Sequence, residues 1–303
     1  MTIIVNPAAG NGKCGRKWTK LKKHVVSNLP EARILVTREQ GEATSFAQKA
    51  LLNQETTLVA VGGDGTINEV INGFFREQKA INPAAKLAVL PLGTGSDFAK
   101  STIWTKKPYE IVRCIQTGTV MPCDVGMVEC QNFRNSSIVR YFINVADAGL
   151  GAAVIGNQKQ TIGLFNARFL YLKAVLATLM RYHSANVTVQ IDGKDDKTVN
   201  LLTAVIANGQ YFGGGIHVAP HAQINSGRFE IVCIRPLSVF NLLVNIAKLY
   251  NGKIGRHPQV NFTSGQTIVL SSDTEVPFET DGELIGKLPA TIKMLPAALN
   301  LIH

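Results

Sequence analysis

The sequence predicts an α/β N-terminal domain with a parallel sheet, joined to a mostly antiparallel, β-sandwich-like second domain. Across residues 1–122 short apolar runs alternate with helix-period segments, the rhythm of a parallel sheet covered on both faces. From residue 123 the texture changes to longer β-like segments interrupted by two helical stretches. The chain of 303 residues also exceeds the roughly 100 to 200 typical of one domain. The expected division is therefore 1–122 and 123–290, with 291–303 returning to the first domain.

In chain order, TIIV at 2–5, RILVT at 33–37, TLVAV at 57–61 and KLAVL at 86–90 read as buried strands bounded by turns or helices. Helices are expected at 14–28, 42–53 and 66–77. In the last of these, Ile67, Val70, Ile71, Phe74 and Phe75 fall at i, i+3, i+4, i+7 and i+8, which is one buried face. The second half supplies strands at 123–130, 139–147, 185–192, 199–207, 228–234 and 266–271, with helical insertions near 150–182 and 236–251. The final run, ATIKMLPAALNLIH, is strand-like again.

Composition fits a chain that folds without staples. Hydrophobic residues make up 46% and charged ones 17%, at a mean hydropathy of +0.11, so a sizeable core can form. The five cysteines are scattered with no C-x-x-C pair, which argues against a zinc site or disulfide framework and for reduced thiols in the cytoplasm. The start, MTIIVNPAAGNGK, lacks a signal-peptide pattern. Residues 163–182 form the most membrane-like stretch, but Arg168 and Lys173 interrupt it, so it reads as a helix packed on the core or facing lipid or substrate, not as a span.

The formal charge is +10, with a cluster at Lys13, Arg16, Lys17, Lys20, Lys22 and Lys23. Such a cluster suits an anionic membrane surface, to which the protein would bind peripherally, or is simply a solvated basic face. Nucleic acid is not an expected partner, since no reader motif or interleaved aromatics accompany the charge.

Three strand-to-helix junctions could carry chemistry. After TLVAV comes GGDG, where Gly62, Gly63 and Gly65 let backbone N–H groups approach a ligand at a helix start that favours phosphate. Asp64 beside a phosphate would be repelled unless a cation such as Mg²⁺ or a substrate hydroxyl lies between them; an Asp-Gly turn capping the helix is the competing reading. NPAAGNGK at 6–13 is a second such loop and is not a Walker A motif, because Pro7 stands where the glycine would be. LPLGTGSDFAKS at 90–101 is the third, with Gly93, Thr94, Gly95 and Ser96 before Asp97 in a helical first turn. Three glycine-rich loops at one edge of a parallel sheet would make a nucleotide site.

NPAAG, VGGDGTINEV and PLGTGSDFA, in this order, resemble the catalytic domain of the diacylglycerol kinase and sphingosine kinase superfamily, nearest the soluble bacterial lipid kinases. The resemblance continues through NVADAGLGA at 144–152, ANGQYFGGGIHVAPHA at 207–222 and ETDGELIG at 279–286. It implies an ATP-dependent lipid kinase using Mg²⁺, whose acceptor is a hydroxyl of a diacylglycerol-like lipid or a related lipid alcohol. Asn6, Pro7, Ala8, Ala9, Gly10, Thr37, Gly62, Gly63, Asp64, Gly65, Thr66, Ile67, Asn68 and Thr94 would contact ATP.

The same resemblance makes Glu283 the general base and gives Asp64 the positioning of Mg-ATP and the acceptor hydroxyl, though in related sphingosine kinases the aspartate is the favoured base. Asp281, alternating with Glu283 on an extended segment, would share its face and assist it, while a hairpin turn is the alternative for Asp-Gly-Glu. Two positions depart from the pattern. Ser96 replaces an asparagine, and Ser226 in QINSGRFEI at 223–231 replaces an aspartate that in some relatives belongs to a Mg²⁺ site. A hydroxyl is a poor magnesium ligand, which weakens the case for that second-domain site. A non-catalytic nucleotide- or lipid-binding relative and an NAD kinase are the other readings; the second calls for T-P-T-G-S-T, which is not in the sequence. A homodimer is compatible with everything above.

Overall fold

The computed structural model describes residues 1–93, 97–102, 107–157 and 167–302. The chain divides into two compact units, Met1–Asp124 with Ala297–His303, and Val125–Pro296. Those boundaries lie a few residues beyond the expected 122 and 290.

The first unit alternates β1 (Thr2–Val5), α1 (Lys13–Asn28), β2 (Arg33–Val36), α2 (Glu42–Leu52), β3 (Thr57–Gly62) and α3 (Asp64–Asn72). A small hairpin of β4 (Phe75–Arg76) and β5 (Lys79–Ala80) precedes β6 (Lys86–Pro91), α4 (Asp97–Lys100) and α5 (Pro108–Thr117). The sheet order is β6-β3-β1-β2, all parallel. Because the strands are parallel and in near register, Val5, Val36, Gly62 and Pro91 end at one edge. The returning C-terminal run adds Asn300 and Leu301, paired in parallel with Lys86 and Leu87.

Helix placement follows side-chain period. On α1, Cys14, Trp18, Leu21 and Val25 are buried, which turns Lys13, Arg16, Lys17, Lys20, Lys22 and Lys23 to solvent. The expected helix 66–77 stops at Asn72, because Gly73 ends it against α2: a Cβ there would lie 2.5 Å from Ala47 Cβ and 2.7 Å from Thr44 O. Phe74 and Phe75 are still buried, but from the segment after the helix.

The second unit contains β7 (Val120–Gln131), which starts in the first, then β8 (Ser137–Phe142), β9 (Val145–Gly149), α6 (Leu150–Asn157) and α7 (Ala167–Leu179). β10 (Ala185–Ile191), β11 (Lys197–Leu201) and β12 (Thr203–Ala207) follow, then the hairpin β13 (Tyr211–Phe212) and β14 (Ile216–His217). The chain continues with β15 (Phe229–Ile234), α8 (Val239–Tyr250), β16 (Val260–Gly265), β17 (Thr267–Ser271), β18 (Pro277–Thr280) and the long β19 (Glu283–Ile302). One antiparallel layer runs β16-β15-β12-β9-β18-β19, and β17, β10 and β11 continue from the later part of β19. Two-residue periodicity fills the space between: Ala146, Ala148, Ala204, Ile206, Phe229, Ile231 and Phe278 meet Val187, Val189, Ile268, Leu270 and Ile292. The opposite face of β9, β12 and β15 presents Val145, Val205, Ala207, Val232 and Ile234 to a second apolar cluster that includes residues of α6, α7 and α8.

Several strands differ from expectation. The expected strand 139–147 breaks between Phe142 and Val145, and 199–207 breaks at Leu202, whose N–H leaves the run to reach Ile234 O at 2.8 Å. Val260–Gly265 and Pro277–Thr280 are strands that the periodicity did not single out. No helix among the described residues is long and apolar enough to cross a membrane, and residues 163–166 of the most apolar stretch lie outside the described residues.

Phe229 and Phe142 stack in the sandwich at a centroid separation of 5.6 Å, and both are fully buried. Phe229→Ala is expected to cost about 3 to 5 kcal/mol, measured by urea unfolding, whereas removing the exposed Phe133 ring should cost little.

Candidate functional site

The loops after β1, β3 and β6 meet at the carboxyl edge of the first unit's sheet. Asn6 ties two of them: its N–H donates to Val61 O at 2.9 Å, its Nδ2 donates to Thr66 Oγ1 at 3.0 Å, and its Oδ1 accepts the Ala8 N–H at 3.1 Å. Pro7, Ala8 and Ala9 then lead into Gly10, Asn11 and Gly12, all at positive φ (62°, 55° and 77°), a turn that brings the chain straight into α1. Thr37, after β2, is buried with its N–H on Val5 O at 2.9 Å.

Side chains are excluded where β3 and β6 end. A Cβ on Gly62 would overlap the Thr66 hydroxyl, and one on Gly93 would come within 2.6 Å of Gly63 Cα. The Gly93 N–H donates to Gly62 O at 2.9 Å, so two loops run backbone against backbone. Gly65 and Thr66 stand in the first turn of α3, where amides have no partner within the helix. Asn68 is buried, its Oδ1 accepting Asn72 Nδ2 at 3.0 Å, and Ile67 is a core residue at 1% exposure. Thr94, with Gly95 and Ser96 of the third expected loop, lies outside the described residues.

Asp64 opens α3 but serves the next loop. Its Oδ2 accepts the Asp97 N–H at 3.1 Å and its Oδ1 the Phe98 N–H at 3.4 Å, so it holds the start of α4. Asp97 pairs with Lys100, and Lys17 Nζ reaches Leu92 O at 3.5 Å. The edge thus combines helix-start amides, bare glycine backbone and the exposed cations of α1, whose first turn has no acid. That combination fits a phosphate group. Asp64 is also the type of oxygen ligand that Mg²⁺ takes, yet among the described residues no three His, Cys, Asp or Glu side chains form a metal site. A cation here would have to share its ligands with bound phosphate.

In the second unit the Asp-Gly-Glu tripeptide is a hairpin turn between β18 and β19. Asp281 and Gly282 both have positive φ (49° and 87°), as a type I′ turn requires. Asp281 therefore does not share an extended face with Glu283. Its carboxylate instead accepts the N–H groups of Ile143, Asn144 and Val145, each at 3.0 Å, while its own N–H donates to Val145 O at 2.8 Å. Here lies the reason the expected strand 139–147 breaks: the carboxylate has taken the donors of residues 143–145. Glu283, half-buried, is the first residue beyond this clamped turn.

Beneath the turn sits a feature that sequence reasoning missed. Asp147 and Glu279 are directly opposite on β9 and β18, at 0% and 2% exposure, on the face covered by helices. Glu279 Oε2 accepts the Gly282 N–H at 2.8 Å; Asp147 Oδ1 accepts the Thr203 hydroxyl at 2.5 Å, and its Oδ2 lies over the Gly151 backbone. Burial pushes the Asp147 carboxyl up to about 7, and burial followed by repulsion from Asp147 raises Glu279 well above the usual carboxylate range. The available signal was a single acid inside the apolar run FINVADAGLGAAV.

The remaining position, Ser226, closes its own turn: its Oγ lies 3.1 Å from Gln223 O and 3.0 Å from Arg228 O. The charged neighbour at this turn is Arg228, bound to Asp192 at 3.0 Å. Nearby, His221 Nδ1 lies 2.7 Å from Glu230 Oε1, and the His221 N–H donates to Oε2 at 2.9 Å.

The buried pair yields a pH dependence. Folded Asp147 keeps its proton up to about pH 7, whereas an unfolded aspartate loses it near 3.8, so the folded state binds more protons between those values and stability falls as pH rises through them. Asp147→Asn should flatten that dependence and raise stability at pH 8 relative to the parent, by roughly 4 kcal/mol at the upper limit, measured by urea melts from pH 4 to 8. Equal pH dependence in parent and variant would remove the pair from the account.

Known proteins are similar to this chain over both units. Residues 1–128 match the diacylglycerol kinase catalytic domain, and residues 144–303 match the YegS C-terminal NAD kinase beta sandwich-like domain. A diacylglycerol kinase of Staphylococcus carnosus is 26% identical over 288 residues, covering 95% of this chain and 90% of its own, and one of Staphylococcus aureus is 27% identical over 300 residues, covering 99% and 90%. Among solved structures, a diacylglycerol kinase from Bacillus anthracis superposes at a TM-score of 0.71 with 22% identity, covering 100% of this chain and 96% of the other. The yeast NADH kinase is more distant, at a TM-score of 0.53 and 15% identity over 99% of this chain and 81% of its own. With both units matched in order, the chain belongs to the diacylglycerol kinase and YegS-like lipid kinase superfamily.

Proposed function

We propose that this protein transfers the γ-phosphoryl group of ATP to the hydroxyl of a diacylglycerol-like membrane lipid. The observation that carries the reading is the edge where Gly62, Gly63 and Gly93 run bare backbone beside the Asn6 turn and the start of α3, in a chain of this superfamily. The ATP phosphates would lie on the 6–10 turn and on the amides of Gly63, Gly65 and Thr66. Mg²⁺ bound with ATP would supply charge neutralisation on the β- and γ-phosphates, with Asp64 as the protein carboxylate beside it.

Glu283 takes the proton of the lipid hydroxyl as that oxygen attacks the γ-phosphorus; the bond to the bridging oxygen breaks and ADP leaves with its electron pair. Asp281 and Glu279 act by holding the turn that carries Glu283, the one through residues 143–145 and the other through Gly282. The lipid class is supported by the relatives, which are named for diacylglycerol. Five free thiols favour a reducing compartment, and the exposed basic face of α1 favours an anionic surface, so the enzyme is assigned to the cytoplasm and the membrane periphery.

Purified protein with labelled ATP, Mg²⁺ and total lipid extract should produce a labelled lipid. ATP binding without labelling of any lipid class would instead favour a non-catalytic relative. Glu283→Gln should lower kcat on the order of 10²–10⁴-fold with ATP affinity unchanged. Near-normal turnover in Glu283→Gln, with loss of turnover but not of ATP in Asp64→Asn, would transfer the base role to Asp64.

A further inference from the structure

Helix α8 carries more apolar surface than its seat on the core uses. Its sequence, VFNLLVNIAKLY, buries Leu242 and Asn245, with Val239, Leu249 and Tyr250 half-buried beside them against the helix-side cluster of the second unit. A helix seated on a core needs only that one stripe. On the other side Phe240 is 73% exposed, Leu243 47% and Val244 62%, at i, i+3 and i+4, and the exposed Ala247 continues the stripe by a turn. Met180, just past α7, is 70% exposed, and α7 packs on the same apolar cluster.

Along the sequence that carries these helices, charge has one sign. Between Glu230 and Asp273 the sequence holds Arg235, Lys248, Lys253 and Arg256 and no acid; between Asp147 and Asp192 it holds Lys159, Arg168, Lys173 and Arg181 and again no acid. Arg235, Lys248 and Lys253 are exposed.

We infer that the exposed face of α8 is a surface by which the second unit lies on an anionic bilayer. Phe240, Leu243 and Val244 enter the boundary between headgroups and acyl chains, while Arg235, Lys248 and Lys253 meet lipid phosphates. The choice of a lipid surface rests on the lipid-kinase reading above. At 12 residues the helix is too short to span, so it lies in the interface plane. A second copy of this chain is a poorer occupant, because an isologous contact would bring two cationic borders together. A relay of contacts links the end of the helix to the Asp281 clamp: Gly252, just beyond it, packs on His217, His217 stacks on Tyr211 at 4.4 Å, and Tyr211 O accepts Asn144 Nδ2 at 2.8 Å, next to that clamp.

Vesicle sedimentation without ATP tests this, comparing phosphatidylglycerol-containing vesicles with pure phosphatidylcholine. The parent should sediment with the anionic vesicles, and Phe240→Ser with Val244→Ser, or Lys248→Glu with Lys253→Glu, should each lower the partition coefficient by about tenfold. Circular dichroism and turnover of a short-chain diacylglycerol in detergent should stay at parental values. The inference is overturned if the parent ignores anionic vesicles, if the variants sediment like the parent, or if their only change is from dimer to monomer. A parent that phosphorylates detergent-dispersed lipid yet ignores vesicles defeats the docking face alone. Vesicle binding lost in the variants, from a protein that labels no lipid, defeats the kinase reading and keeps the face.

Discussion

Everything at the loop edge of the first unit's sheet depends on the contact between Gly63 and Gly93. The two strand-to-helix loops run backbone against backbone only because Gly93 has no side chain: a Cβ there would sit 2.6 Å from Gly63 Cα, whereas one on Gly63 would meet Gly93 Cα at an ordinary 3.7 Å. That contact lets Asp64 reach the amides of Asp97 and Phe98, so the start of α4 is held by the same loop that opens α3. Parallel register does the rest, since it delivers Val5, Gly62 and Pro91 to one edge. The amides there carry partial positive charge without bulk, which is the requirement for holding polyphosphate.

The second unit solves a different problem, that of fixing a carboxylate on a two-residue turn. Turns are where chains are least constrained, yet Glu283 follows one whose first residue gives its carboxylate to three consecutive amides. Glu279 holds the same turn from inside through Gly282, at the cost of burying a second acid opposite Asp147. Two fully buried carboxyls as cross-strand neighbours repel when ionised, so protonation is what makes their burial tolerable. The clamp therefore connects the proton state of the core to the position of the proposed base.

How much of this was legible depended on whether a feature was local. The strands β1, β2, β3 and β6 and the convergence of their loops followed from short apolar runs and glycine-rich junctions, because a parallel sheet makes the loop edge a consequence of strand order; the β4–β5 hairpin did not. Helix 66–77 was read too long, since its apolar period continues through Phe75 and only the packing of Gly73 on α2 shows why the helix must stop. Asp281 was misplaced for a related reason: alternation assumes an extended chain, and the positive φ values of Asp281 and Gly282 break it. The break at residues 143–144 and the Asp147–Glu279 pair were out of reach, because each is made by residues more than 130 positions apart.

The central claim is that bare backbone at this edge binds ATP phosphate, and calorimetric titration of ATP into Gly93→Ala measures it most directly. Added as a single methyl facing Gly63, the substitution should weaken ATP binding by about tenfold or more while circular dichroism stays native, since it separates two loops without removing a charge. Parental ATP affinity in a natively folded Gly93→Ala protein would contradict the account.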